Sequence, residues 1–157
     1  LVGSTWMAAR VLAFLILGAT AWWHTRPRVL LVAAAGMFVA FLGVTLRLSQ
    51  ILPAFDVPYA ADLVAMLGWQ IALGVLMGMI YAGSLYFGMV LSDGSTEHGG
   101  YHEALIGVGS VLGPGVAALA QSRWPGDLHA GVAAVSCVIC ISLAAAVWVT
   151  LRSPSSG

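Results

Sequence analysis

Charged side chains fall at or near the ends of five long apolar runs, and this segregation limits what the chain can fold into. A helix rises about 1.5 Å per residue and the bilayer core is about 30 Å thick, so about 20 apolar residues cross it. Each run approaches or exceeds that length, and the sequence therefore predicts an all-α integral membrane protein with about five transmembrane helices. Four runs carry no Asp, Glu, Lys or Arg, and the first carries only Arg10: 1–23, 29–46, 63–92, 104–122 and 130–151.

The composition agrees with a lipid-facing surface. Only 8% of the residues are charged, whereas ordinary soluble domains carry about 25%. The six basic residues are all Arg and are scattered along the chain. Because no basic stripe is available to neutralise phosphates, we expect no nucleic-acid partner. The expected partner is the lipid bilayer, and no residue pattern calls for a cofactor.

The chain begins at Leu1, already inside an apolar run, without the charged segment and cleavage site of a signal peptide. We therefore expect residues 1–157 to be one transmembrane domain and the C-terminal part of a longer chain. Arginine counts favour a cytoplasmic C-terminus by three to two, and we expect the cytoplasmic (inner) membrane of a bacterium. One side would hold Arg26, Arg28 and Arg152, and the other Arg47 and Arg123.

The apolar runs and their interruptions give approximate helix limits. Pro27 keeps the short basic loop 24–28 from continuing as helix, and Asp62 is suited to cap the third helix. Residues 92–101 form a glycine-rich acidic loop. Cys137 and Cys140 lie three apart inside the last run, where we interpret them as small packing residues. The predicted helices cover about 4–23, 29–46, 63–91, 102–121 and 130–151.

Small residues recur every four positions on two of the helices. On the third, Gly74, Gly78 and Ala82 are typical of close helix packing in lipid. On the fourth, Pro114 leaves the Ser110 carbonyl without its N–H donor and predicts a bend. Such a bend can be architectural, or it can serve as a gating element. The candidate bending residues are Gly109, Gly113, Pro114 and Gly115.

A few polar residues lie inside the apolar runs. Gln70, Tyr81 and Ser84 fall on nearly one face of the third helix. Such a stripe can line an aqueous cavity, or it can supply hydrogen bonds between helices. Arg10 is costly in mid-bilayer and is a functional candidate if it lies deep, although its side chain can also snorkel to the interface. We take all four as candidate residues of a substrate cavity.

Four titratable residues cluster before the fourth helix: Glu97, His98, His102 and Glu103. The two histidines are four apart, which on one helix would suit a metal. However, two glycines at 99–100 separate them, and we expect a solvated loop with Glu103 near the helix N-terminus instead. The sequence thus predicts no metal site.

Three successive segments of the third helix, the acidic loop and the fourth helix resemble the major facilitator superfamily. They are Tyr81-Ala-Gly-Ser-Leu-Tyr-Phe-Gly with the following Ser92-Asp-Gly-Ser-Thr-Glu-His-Gly-Gly, and His102-Glu-Ala-Leu-Ile-Gly-Val-Gly-Ser-Val-Leu-Gly-Pro-Gly. The match is to the tenth and eleventh helices of bacterial members, so the chain would correspond to helices eight to twelve. The segment 109–115 also resembles the antiporter motif of the fifth helix in this family. A mapping of the chain onto helices two to six is therefore open, although the short C-terminal tail argues against that mapping.

The resemblance implies half of a twelve-helix bundle and a function in secondary transport. A small solute would cross by alternating access, the third helix would line the cavity, and an N-terminal half of the same transporter would be the partner. The protein would not be an enzyme. Two alternatives remain: a membrane-embedded, metal-dependent enzyme using the Glu97, His98, His102 and Glu103 cluster, or a stand-alone five-helix scaffold.

Overall fold

The computed structural model describes residues 4–52, 54–55 and 57–152, and all regular structure in these ranges is helical. Four of the helices, α2, α4, α5 and α6, are long and apolar enough to cross a membrane, whereas α1 has only 15 residues. α3 is a single turn. The helices are α1 (Thr5–Ala19), α2 (Arg28–Thr45), α3 (Leu48–Ile51), α4 (Tyr59–Leu91), α5 (Thr96–Arg123) and α6 (Leu128–Arg152).

α1 ends at Ala19, four residues before the predicted limit, because Trp23 folds back over its C-terminus. Thr20 is extended and ends the helix. The indole N–H of Trp23 donates to the carbonyl oxygens of Leu17 (3.1 Å) and Thr20 (2.9 Å). The Leu17 carbonyl also accepts from the Thr20 N–H (3.3 Å), so the indole adds a second donor there and supplies one to Thr20. Trp23 is buried by this arrangement, whereas the neighbouring Trp22 is exposed.

α4 starts at Tyr59, four residues earlier than predicted, directly after Pro58. Asp62 therefore lies within its first turn instead of preceding the helix. Its carboxylate accepts hydrogen bonds from the backbone N–H (3.0 Å) and hydroxyl (2.7 Å) of Ser49, at the start of α3. Asp62 thus caps α3, and this contact holds the connection between α2 and α4 in place.

The predicted acidic loop is much shorter in the structure, because α5 begins at Thr96 and runs through the two glycines at 99–100. The N–H of Gly94 donates to the carbonyl of Met89 (2.9 Å), and Asp93 and Gly94 have φ of 51° and 79°. This is the left-handed ending that commonly terminates a helix. The connection between α4 and α5 is consequently a tight four-residue turn.

The chain divides into two compact units, the first ending at Phe87 and the second beginning at Gly88. In the first unit, α1 packs against a glycine face of α4. Ala9 and Ala13 are buried, and they lie opposite Gly74 and Gly78. A Cβ on either glycine would come within 3.0 Å of the facing alanine Cβ. The small-residue stripe thus serves close helix packing, as the spacing predicts.

α2 packs antiparallel on another face of α4. Each contact joins a glycine of one helix to a large side chain of the other, and successive contacts run in opposite directions along the two helices. The pairs are Leu30 with Gly83, Gly36 with Leu76, and Gly43 with Trp69. α4 is therefore the central helix of the first unit.

The second unit is an antiparallel hairpin of α5 and α6, preceded by the end of α4. Its turn is fixed by Gln121 Nε2, which donates to the Asp127 carbonyl (2.7 Å), and by Asp127 Oδ1, which accepts from the His129 N–H (2.9 Å). Ala120 and Gly131 are buried beside this turn. Elsewhere most described side chains of the hairpin are exposed although they are apolar.

Candidate functional site

Arg10 lies at the interface of α1 and α4, facing two aromatic rings. Its guanidinium carbon is 5.3 Å from the ring centre of Tyr81 and 5.5 Å from that of Phe14. The two rings meet edge to face, with centres 5.6 Å apart. A guanidinium within about 6 Å of an aromatic centre gains cation–π attraction. The structure thus brings together two of the predicted cavity residues, Arg10 and Tyr81.

Two buried polar atoms in the first unit have no hydrogen-bond partner among the described residues. They are Nε of Arg10 and Oε1 of Gln70, and only 8% of the Gln70 surface is exposed. Gln70 lies on α4, one turn before Gly74 and two turns before Gly78, which Arg10 contacts. Leaving a buried polar group unpaired costs about 1–3 kcal/mol. Such atoms mark places where water or a polar ligand belongs.

The Ser84 hydroxyl, unlike Nε of Arg10, forms a hydrogen bond within its own helix. It donates to the carbonyl oxygen of Tyr81 at 3.1 Å. A serine bonded to the preceding turn is common in apolar helices, so this contact favours the structural interpretation of Ser84. Its place in a substrate cavity stays a prediction, as it does for Gln70, Tyr81 and Arg10.

The predicted bending segment lies in the middle of α5, which is continuous through Pro114. Within the hairpin, no described atom lies within 4 Å of a Cβ built at Gly109, Gly113 or Gly115. These glycines therefore do not serve the packing of α5 on α6, unlike Gly74 and Gly78 in the first unit. The bend and its gating role stay predictions.

The acidic and histidine cluster lies on the first turns of α5, where the structure corrects the predicted loop. Glu97, His98, His102 and Glu103 are all helical, and His102 Nδ1 lies 3.7 Å from Glu103 Oε1. The His98 ring covers Gly88, with Cδ2 3.0 Å from a Cβ built there. Among residues 4–52, 54–55 and 57–152, no three His, Cys, Asp or Glu side chains are grouped as metal ligands would be.

An aromatic cluster that the sequence did not indicate closes the far end of the first unit. His24 stacks on Tyr86, with ring centres 4.1 Å apart and an interplanar angle of 13°. Trp23 meets the edges of both rings, with centres 4.2 Å and 5.0 Å away. Residues so far apart in the chain share no periodic pattern, so only the fold could reveal this contact.

Beside this cluster, an open cleft of about 720 Å³ lies between the loop after α1, the start of α2 and one face of α4. Its lining combines Trp22, Arg26 and Arg28 with the apolar side chains of Val32, Leu76 and Met79. A smaller cavity of about 140 Å³, near Arg47 and Asp62, lies at the other end of α2.

In the part of the chain that the structure describes, all regular structure is helical, and four helices are long and apolar enough to cross a membrane, a composition that suggests a membrane protein. No protein-family model, curated protein or solved structure matches the chain.

Proposed function

We propose that this chain is the C-terminal part of a secondary transporter of the major facilitator type. It would carry a small polar solute across a bacterial inner membrane by alternating access, with an N-terminal half supplying the other wall of the cavity. The observation that carries this proposal is the pair of unsatisfied polar atoms on Arg10 and Gln70 between apolar helices. Ionisable and polar residues are rare in membrane spans, and they commonly mark solute or ion pathways.

The chemistry around Arg10 supports a binding role. Cation–π contact with Phe14 and Tyr81 holds the guanidinium in the interface without using its N–H donors. Those donors stay suited to a carbonyl, phosphate or carboxylate oxygen of a solute. On α4, Gln70 adds an unpaired amide oxygen, which can accept a hydrogen bond. Recognition of a polar solute requires donors and acceptors of this kind in the lining of its cavity.

The exposed apolar surface of the hairpin supports the need for a partner segment. Gly109, Gly113 and Gly115 have open space around them within the hairpin, and Leu112 beside them is exposed. Small residues allow another helix backbone to approach closely. In the proposed transporter, this face of α5 would contact the N-terminal half, and the missing backbone bond at Pro114 would let the helix flex during rocking.

Uptake into proteoliposomes tests the proposal. The full-length protein would be screened with small polar solutes, and Tyr81→Ala and Ser84→Ala would then be compared with the native chain. We expect each substitution to lower uptake of the transported solute about two- to tenfold, since a lost hydrogen bond costs about 0.5–1.5 kcal/mol. Membrane insertion should be unchanged.

Matched controls are available outside the interface. Tyr101 is exposed near the start of α5, and Ser142 donates to its own helix at the Val138 carbonyl, as Ser84 does to Tyr81. Alanine at either control position should leave uptake unchanged. Equal uptake by the two test variants and the two controls would remove the cavity assignment.

A further inference from the structure

The cleft beside α2 has both cationic and apolar lining residues. Arg26 and Arg28 line it, and both are exposed. Neither forms an ion pair with any residue that the structure describes. The apolar lining includes Val29, Met79 and Val32, which is 72% exposed. A lining with adjacent charged and apolar parts matches the charged headgroup and apolar chain of a phospholipid.

Three further features favour a lipid headgroup at the cleft. α2 begins at Arg28, and its first turn contains no acidic residue to neutralise the positive end of the helix dipole, which favours an anion. Trp22 is 49% exposed and lines the cleft, as expected of an aromatic residue at the headgroup level. The cleft volume of about 720 Å³ also falls within the range of about 300–1,000 Å³ that is typical of ligand sites.

We propose that this cleft binds one anionic phospholipid. The headgroup phosphate contacts Arg26 and Arg28, and the upper part of an acyl chain lies against Val32, Leu76 and Met79. Basic clefts at the membrane surface bind anionic headgroups in this way. The inference rests on the membrane placement in the proposed function but not on solute transport. It assigns the basic loop between α1 and α2 a role in lipid recognition.

Native mass spectrometry of the detergent-purified full-length protein tests this site, with dioleoyl phosphatidylglycerol as the probe. We expect one tightly bound lipid, and at least tenfold weaker binding of zwitterionic dioleoyl phosphatidylcholine. Each of Arg26→Gln and Arg28→Gln should weaken phosphatidylglycerol binding about fivefold, since a basic residue near an anionic headgroup contributes about 1 kcal/mol. Arg123→Gln, which removes an exposed arginine outside the cleft, should have no effect.

A second variant distinguishes binding of a phospholipid from binding of a free anion. Val32→Trp fills the apolar wall while keeping both arginines, so it should weaken phosphatidylglycerol binding and leave the weak binding of inorganic phosphate unchanged. Phosphate binding as tightly as the lipid would overturn the assignment to a phospholipid. Equal affinity for the two lipids, or unchanged affinity in the Arg26→Gln, Arg28→Gln double variant, would overturn the site itself.

Carbonate extraction of each variant shows whether it is inserted in the membrane, independently of lipid binding. Inserted protein that transports solute but binds no phosphatidylglycerol contradicts only the lipid site. Protein that binds phosphatidylglycerol at this cleft but fails every uptake assay supports the lipid site and contradicts the transport proposal. Protein that carbonate releases from the membrane contradicts both.

Discussion

Replacing Gly74 with alanine should push α1 away from α4 and destabilise the first unit. A Cβ at this position would meet the backbone carbonyl of Trp6, with its carbon 2.9 Å away, and the Cβ of Ala9 at 3.0 Å. Ordinary van der Waals contact begins at 3.4 Å and the carbonyl oxygen lies closer than its carbon, so α1 must move away by about one ångström. A gap of that size forfeits about half of the dispersion attraction at each contact along the interface. The obstacle is backbone, which cannot rotate aside as a side chain can.

The expected cost follows from two opposing terms. Overpacking of a well-filled interface costs about 1–3 kcal/mol. Alanine is favoured over glycine in a helix interior by up to about 1 kcal/mol, which offsets part of that cost. We therefore expect Gly74→Ala to lower the free energy of unfolding by about 1–2 kcal/mol. Reversible unfolding in mixed micelles of rising SDS content, followed by tryptophan fluorescence, measures this quantity.

The same helix supplies a matched control and a graded test. A Cβ at Gly68 has nothing within 4 Å, so Gly68→Ala should be neutral or slightly stabilising. At Gly83 the obstacle is the tip of the Leu30 side chain, which can move, and the cost should be smaller than at Gly74. Equal stability of the Gly74→Ala and Gly68→Ala proteins would refute the close approach of α1 and α4.

Two further substitutions test local features of the fold. Trp23→Phe keeps an aromatic ring but removes the N–H that caps the end of α1, so the free energy of unfolding should fall by about 1–2 kcal/mol in the SDS assay. Trp22→Phe, which changes an exposed ring, should alter this free energy little. Equal losses in the two variants would contradict the cap. Pro114→Ala gives the Ser110 carbonyl a donor, which should raise the free energy of unfolding by up to about 3 kcal/mol and slow solute uptake. Pro125→Ala, in the turn between α5 and α6, should not affect uptake. Unchanged uptake in the Pro114→Ala protein would remove the gating role.

The number and order of the long helices could be predicted because charge-free runs of about 20 residues leave few other solutions. The packing role of Gly74 and Gly78 is also confirmed, since small residues four apart form one face of a helix. By contrast, the same spacing at Gly109 and Gly113 has no packing partner in the hairpin. Spacing therefore identifies a face suited to close contact, but it does not identify what lies against it.

The helix ends were harder to predict because they depend on contacts distant in the chain. An interfacial tryptophan and a capping tryptophan look alike in sequence, so the end of α1 moved from about residue 23 to Ala19. Asp62 is an ordinary capping residue, yet it caps α3, which was not predicted at all. The glycines at 99–100 have low helix propensity, but they lie inside α5, where tertiary context overrides a weak preference.

The candidate site was only partly visible in the sequence. The period of the helix placed Gln70 and Tyr81 on one face, but it gave no indication that Arg10 would contact Tyr81, since that contact is between two helices. The cleft at Arg26 and Arg28 combines a loop with α2 and α4, and no single segment carries its pattern. Sites built from several segments require the fold before they can be recognised.

Cysteine accessibility in native membranes tests most directly whether the face of α4 around Tyr81 lines a solute pathway. Cys137 and Cys140 would first be replaced by alanine, and single cysteines introduced at Tyr81, Ser84 or Val39. Val39 is an exposed apolar residue in the middle of α2, where the proposal places lipid.

A charged, water-soluble methanethiosulfonate should label the cysteines at positions 81 and 84 but not the one at Val39, and the transported solute should protect the first two. Labelling of positions 81 and 84 no faster than Val39 would contradict the pathway and leave this face of α4 as helix packing alone.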